Sequence, residues 1–422
     1  MKLRIIITIF AACTLLTACL PIGNSDSTND TTQNISVGEE ETQEEKEDLS
    51  DEEKEEYEKL VAKAKEIVIT GSGELTEDMV KERLLEEGIE KYDEESDELY
   101  RIVIEDGFTK IGSFAFKGYK GLCGVSIPDS VTELGGCVFE DCSALIEITI
   151  PDSVTEMGNA TFWNCTNLQE VKLSEGLTEL DTTFMGCHSL KTVEIPSSVT
   201  FLDGTFKKCN AFETFIVPEG VTELRKTFQN CTSLQKVVLP ESITKIDGYT
   251  FSGCSALAEV NIPDNVELIS EEAFLGCTSL EFEQLNVMGM KLGANAFTGI
   301  KIKELIVDGK DSCVSGFALD EAIIEKVTYE IAEDNDKLVI SATLKVNPAT
   351  LKEIVISDGY IQIRNNMFEG YAELESVTIP ASVTEIGPDV FKDCGKVTIY
   401  TTAGSTAETY AIENGISYEI IQ

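Results

Sequence analysis

The sequence predicts a β-rich repeat solenoid, and three observations lead there. Seven cysteines, Cys142, Cys165, Cys187, Cys209, Cys231, Cys254 and Cys277, recur every 22 or 23 residues. Each has a phenylalanine three residues before it (Phe139, Phe162, Phe184, Phe206, Phe228, Phe251, Phe274) and a large apolar residue three after it (Leu145, Leu168, Leu190, Phe212, Leu234, Leu257, Leu280). A pair of apolar residues spaced by two then follows, as in Ile148/Ile150 and Val237/Leu239, which places both on one face of a strand. A fixed period of this length means units that bury their apolar face only against their neighbours. The chain has 422 residues, more than one compact globule usually needs, and growth along a single axis removes that limit.

Taken in chain order, residues 1–18 read as an export signal. Lys2 and Arg4 form a basic start, residues 5–16 are apolar but too short to span a bilayer, and Leu16-Thr17-Ala18-Cys19 follows. That ending resembles a bacterial lipobox, which makes Cys19 the expected lipid-bearing N-terminus; an ordinary secretory signal cleaved nearby is the alternative. Residues 19–49 read as a disordered acidic tether, with almost no large apolar residue after Ile22. Between Glu39 and Glu58 thirteen acids face only Lys46 and Lys54, and like charges extend such a segment.

Residues 50–105 read as an N-terminal cap, which shields the core of the first coil. Ser50 and Glu53 fit a capping box, and Tyr57, Leu60, Val61 and Ala64 follow helical spacing. A strand at 67–69, a second helix over about 76–87 and a strand at 101–104 are expected next. The array proper runs over 106–310. Its strands carry Ile148/Ile150, Val171/Leu173, Val193/Ile195, Phe215/Val217, Val237/Leu239 and Val260/Ile262. A proline usually ends each one (Pro151, Pro196, Pro218, Pro240, Pro263), and Ser174 replaces it once. A second apolar cluster with spacing three follows, for example Val154/Met157 and Val221/Leu224, and the Phe and Cys then fall on a short helical or irregular turn. Successive strands stack in parallel at about 4.8 Å per coil. The pattern decays over 311–350, where residues 329–346 read as an extra pair of strands and put a continuous arc in doubt. It resumes over 351–397, and 398–422 reads as a closing cap with a helix at 405–414 and a strand at 416–421.

The stretch Cys231-x-x-Leu234-x-x-Val237-x-Leu239-Pro240, Ser242-Ile243-Thr244-x-Ile246 and Phe251-x-x-Cys254 resembles the BspA-like, or Treponema pallidum-type, leucine-rich repeats of bacterial surface proteins. The terminal Ala403-Gly404-Ser405-x-Ala407-x-x-Tyr410-Ala411 is similar to the end of such arrays. The resemblance covers roughly 100–310 and 350–400. It implies a right-handed leucine-rich-repeat arc with a parallel sheet on one face, and a role in cell-surface adhesion or protein binding, host matrix proteins being partners of some members. It carries over no catalytic residues, because the motif is structural.

Residue chemistry points the same way. The formal net charge of −43 disfavours nucleic acid and anionic lipid surfaces as direct partners and suits either a solvated surface protein or one that attracts cations. The ladder cysteines fall once per coil rather than in short-spaced clusters, so they read as core and no metal site is assigned. Disulfides are the alternative for an exported chain. Equivalent side chains on stacked coils point the same way, however, which favours free thiols. A serine at Cys209 is expected to cost about 1–3 kcal/mol by burying a hydroxyl without an assured partner. His188 is the only histidine and reads as an exposed turn residue. Gly71-Ser72-Gly73 lacks the lysine of a phosphate loop, and no carboxylate pair stands out, so no catalytic residue, cofactor or small-molecule substrate is assigned.

What remains is the outward face of the repeat strands. Its first column reads Glu147, Glu170, Thr192, Thr214, Lys236, Glu259, and its second Thr149, Lys172, Glu194, Ile216, Val238, Asn261. Thr214, Ile216, Lys236 and Val238 form the candidate ligand-binding patch, since adjacent exposed apolar residues can mark a site; β-branched strand formers on an indifferent surface are the alternative. The functional expectation is a lipid-anchored, non-catalytic surface protein for adhesion or protein binding, or a structural spacer of the cell envelope.

Overall fold

The computed structural model describes residues 59, 61–93, 98–308, 318–319, 321–331, 339–341, 344 and 346–421. Cys19, the signal, the tether and the Ser50/Glu53 capping box lie outside them. The described chain is a parallel-strand β-solenoid, most of whose coils give one strand to a main stack and one to a second stack. In the main stack β1 (Lys65–Ile69) pairs β3 (Tyr100–Ile104), which pairs β5 (Leu122–Ser126). β7 (Glu147–Thr149) pairs β9 (Glu170–Lys172), and β11 (Thr214–Ile216) pairs β13 (Lys236–Val238), which pairs β15 (Glu259–Val260). All these pairs are parallel, and apolar side chains alternate inward along each strand.

The second stack is built from the apolar clusters of spacing three. The sequence left their conformation open, and they form short strands: β2 (Gly73–Leu75), β4 (Phe108–Ile111), β6 (Glu133–Leu134) and β8 (Glu156–Met157) stack in that order. β10 (Phe201–Asp203), β12 (Glu223–Arg225), β14 (Lys245–Ile246), β16 (Leu268–Ile269) and β18 (Lys291–Leu292) form the next run. Proline separates the two strands of a coil. It has no N–H to offer the ladder, and its carbonyl accepts from the apolar residue three positions on, as in Val154 N to Pro151 O at 3.0 Å.

The third side of each coil is the Phe-x-x-Cys turn, closed by bonds such as Cys209 N to Phe206 O at 3.0 Å. Phenylalanine rings stack down the axis with centroids 5.5 Å apart from Phe116 to Phe139 and again to Phe162, then 5.6 Å to Phe184 and 5.7 Å to Phe206. Each ladder thiol donates to the carbonyl of the phenylalanine one coil earlier: Cys165 to Phe139, Cys187 to Phe162, Cys209 to Phe184, all at 3.1 Å. Burial pushes the Cys254 thiol up to about 12 and those of Cys165, Cys187, Cys231 and Cys277 well above the ordinary range. These cysteines are free, buried and protonated.

The expectation for Cys209 therefore changes. Its thiol already has a partner, and a serine hydroxyl can donate to the same Phe184 carbonyl. Cys209→Ser is expected to cost about 1 kcal/mol or less, and Cys209→Ala about 1–3 kcal/mol, since alanine loses the bond and leaves a void. Urea denaturation of both variants tests that order, and an alanine no worse than serine would remove the thiol bond from the account.

Three expectations need correction. Val193 and Ile195 do not lie in a strand; they are half-buried, and residues 173–200 contain no strand at all. Ser174, fully buried where other coils have proline, donates to Val154 O at 2.6 Å and accepts from Gly176 N, which ties its turn back to the preceding coil. Residues 329–346 are not an added pair of strands: Tyr329 ends β20 (Ile323–Tyr329), and Val339–Ile340 forms β21 in the second stack, followed there by β23 (Gln362–Ile363) and β25 (Glu385–Ile386). Nor is the arc broken there. β17 (Glu281–Asn286), β19 (Lys301–Val307), β20, β22 (Glu353–Ile356), β24 (Ser376–Thr378), β26 (Thr398–Thr401) and β27 (Ser417–Ile420) make one continuous parallel sheet.

Two full helices stand among the described residues, one towards each end. α1 (Glu77–Glu86) is capped by Thr76, whose hydroxyl accepts from Met79 N, and buries Val80 and Leu84. α2 (Thr406–Asn414) is capped by Ser405 and stops at Gly415, which takes the left-handed conformation. Among the described residues no helix is long and apolar enough to cross a membrane.

Candidate functional site

The main-stack strands turn alternate residues outward, so the columns read from the sequence become ranks of side chains in register: Thr214 beside Lys236, and Ile216 beside Val238. Ile216 is 69% exposed, the most exposed large apolar side chain among the described residues. Val238 is only half-buried, not open. Lys236 is not a lone cation either: its Nζ lies 2.5 Å from Glu259 Oε1 on the next strand. Thr214 is exposed. The four residues are thus brought together on one rigid surface, with the apolar weight on Ile216 and the lysine already partnered.

The rest of the face is laced by polar contacts between coils. Glu304 accepts from Gln284 Nε2 at 2.8 Å and from Thr328 Oγ1 at 2.6 Å, and Lys326 lies 3.2 Å away; these bonds hold its carboxyl below the usual range. Asn261 reaches back to the preceding coil, accepting from Leu239 N at 2.7 Å and donating to Leu239 O at 2.8 Å. A surface tied in this way keeps its side chains in place before any partner arrives.

Sequence reasoning missed a recess on the same face, nearer the N-terminal end. It measures about 800 Å³ and lies across β1 to β9, lined by Glu66, Arg101, Gly124, Glu147, Glu170 and Lys172 among others. Arg101 stands opposite Gly124 in the ladder, and a Cβ on Gly124 would come within 3.0 Å of Arg101 Nε. The absent side chain opens the recess and lets the guanidinium lie across the strand, 3.9 Å from Glu147. The signal was a glycine in a column where the neighbouring coils carry the long polar residues Arg101, Glu147 and Glu170. No group of three or more His, Cys, Asp or Glu with metal-holding geometry occurs among the described residues.

His188 is half-buried rather than exposed, and Asn210 Nδ2 lies 3.5 Å from its Nδ1. Burial, with Lys208 beside it, holds its pKa below the ordinary value, so the ring is neutral at pH 7.

A family model described as the BspA type leucine-rich repeat region matches the chain in six copies over residues 89–204, 201–316 and 345–415. Several solved bacterial structures are similar. A leucine-rich repeat protein from Bacteroides ovatus is 21% identical over 69% of this chain and 88% of its own, with a TM-score of 0.42. The pneumococcal vaccine antigen PcpA is 17% identical, covering 85% of this chain and 89% of its own, TM-score 0.42. A leucine-rich cell surface protein from Faecalibacterium prausnitzii is 23% identical over 76% of this chain and 91% of its own, TM-score 0.32. No curated protein matches the chain.

Proposed function

The chain belongs to the BspA-type leucine-rich-repeat family, and from that premise we infer that it is a non-catalytic binding protein of the bacterial cell surface, anchored through lipidated Cys19. The partner is a protein or matrix ligand that docks on the outward strand face. One observation supports this most: Ile216 stands 69% exposed on a strand paired on the C-terminal side by β13. An apolar side chain held on a rigid sheet has little rotamer freedom left to lose on contact, so that part of the cost of binding is small.

The double variant Ile216→Lys/Val238→Lys is expected to fold like wild type, since both side chains face outward. It should weaken capture of a ligand drawn from matrix or cell-wall extracts by tenfold or more, about 1.4 kcal/mol. Equal capture by both proteins would favour the alternative, a structural spacer of the envelope. Cys19→Ala is expected to move the protein from the detergent to the aqueous phase of Triton X-114; an unmoved detergent fraction would place the anchor elsewhere.

A further inference from the structure

The Phe-x-x-Cys ridge, on the side of the coil away from the strand face, carries a second and unlike surface. Bonds Asn164 N to Met185 O, Gly186 N to Lys207 O and Lys208 N to Gln229 O, all 2.8–2.9 Å, make Trp163, Met185, Lys207 and Gln229 equivalent positions on four consecutive coils. The phenylalanines beside them step by 5.6, 5.7 and 5.9 Å. Lys208 follows Lys207, and Lys226 sits on the next coil, where its carbonyl closes the turn to Gln229 N. Three lysines thus gather in a chain with 76 acids and 33 bases. None of them is ion-paired among the described residues, whereas nearby Arg225 is held by Asp203 and Lys245 by Glu223.

The electrostatics agree with the geometry. Lys207 is half-buried, burial lowers its pKa, and the charged groups acting on it are Lys208 and Lys226. Mutual repulsion between unpaired cations is unfavourable, and an anionic group placed among them relieves it. Around the lysines stand neutral hydrogen-bonding groups: the His188 ring and the side-chain amides of Asn210, Gln229 and Asn230. The only tryptophan of the chain, half-buried Trp163, lies two coils back on the same ridge.

We propose that this ridge binds an acidic oligosaccharide, its carboxylate or sulfate between Lys207, Lys208 and Lys226 and a further sugar ring against Trp163. Amides and imidazole suit hydroxyl groups, and an indole face suits the C–H face of a sugar. A net charge of −43 repels every polyanion, so preference for a sugar chain over nucleic acid rests on the amides, the imidazole and the indole, not on charge. At physiological salt the repulsion from distant acids is screened beyond about 8 Å, while the lysines act at contact. This site does not depend on the strand-face reading, and either can fail alone.

Because Trp163 is the sole tryptophan, its fluorescence reports binding at the ridge in the folded, full-length chain. Titration with a chondroitin sulfate tetrasaccharide and with tetragalacturonate is expected to give a saturable change with at least one of them, the pair separating sulfate from carboxylate recognition. Maltotetraose should give none. Lys207→Gln/Lys208→Gln/Lys226→Gln should leave the melting temperature within a few degrees and weaken binding tenfold or more. Trp163→Ala, followed by calorimetry, should weaken binding without altering its salt dependence. No response to either acidic sugar, or an undiminished one in the triple lysine variant, overturns the proposal. So does equal binding of a tetraglutamate peptide or a short oligothymidylate, since the ridge would then take any anion.

Discussion

Replacing Phe206 by alanine is expected to cost about 3–5 kcal/mol, as large a loss as a single core truncation produces. The ring is fully buried, stacks on Phe184 at 5.7 Å and Phe228 at 5.9 Å, meets Phe212 edge-on at 5.3 Å and lies 4.9 Å from Phe215. Its place along the array adds a second effect. Elsewhere, where one strand stack is interrupted, the other bridges the gap: β5 does not pair β7, yet β6 pairs β8. Across residues 173–200 both stacks stop, at β8 and β9, and resume at β10 and β11. That coil is held by the Phe162–Phe184–Phe206 ring column, by the thiol bonds of Cys187 and Cys209, and by turn bonds such as Phe184 N to Thr205 O at 2.9 Å. A repeat array loses cooperativity where a nearest-neighbour interface is weakest. Urea denaturation of Phe206→Ala, followed by circular dichroism, should therefore show two transitions. A single transition displaced by less than about 1 kcal/mol would contradict this picture of the coil.

Gly158→Ala is expected to destabilise by about 3 kcal/mol, by overpacking rather than by a void. A Cβ there would lie 2.4 Å from Gly136 N, 2.6 Å from Gly135 C and 2.7 Å from Gly136 Cα, all backbone atoms of the preceding coil. Rotation of a side chain cannot relieve such contacts, so the coils must separate. Separation strains the Gly158 N to Leu134 O bond of 2.9 Å and the pairing of β6 with β8. Gly176→Ala is the control: its nearest new contact is Thr155 Cγ2 at 3.2 Å, the end of a side chain, and it should stay within about 1 kcal/mol of wild type. Equal melting temperatures for the two variants would mean that coil spacing at Gly158 is softer than described.

The sequence by itself determined the coil. Its 22- or 23-residue period, the Phe-x-x-Cys pair and the alternating strand residues all express burial in a repeated environment, and burial selects residue type strongly enough to be read in one chain. The candidate patch at Thr214, Ile216, Lys236 and Val238 was legible for the same reason, because strand alternation says which residues face outward.

Tertiary structure decided what depends on the neighbouring coil. The residue two before each phenylalanine takes a left-handed conformation whatever its type: Phe114, Cys137, Ala160, Thr182, Lys226 and Tyr249 all have φ between 49° and 62°. Nothing in those side chains favours it, and the ladder imposes it through bonds such as Cys137 N to Asn159 O. Two positions after the phenylalanine the same backbone conformation falls mostly on Gly, Asn or Asp, the residues that tolerate it best. The pairing of Lys236 with Glu259, the recess above Gly124, the loss of the strand at Val193 and the gathering of Lys207, Lys208 and Lys226 stayed hidden. Nothing in the structure explains the missing strand at Val193. The Lys236–Glu259 and Arg101–Gly124 contacts join residues 23 apart and the lysines meet across a coil boundary, and a one-dimensional pattern of burial does not encode how surface residues on adjacent coils meet.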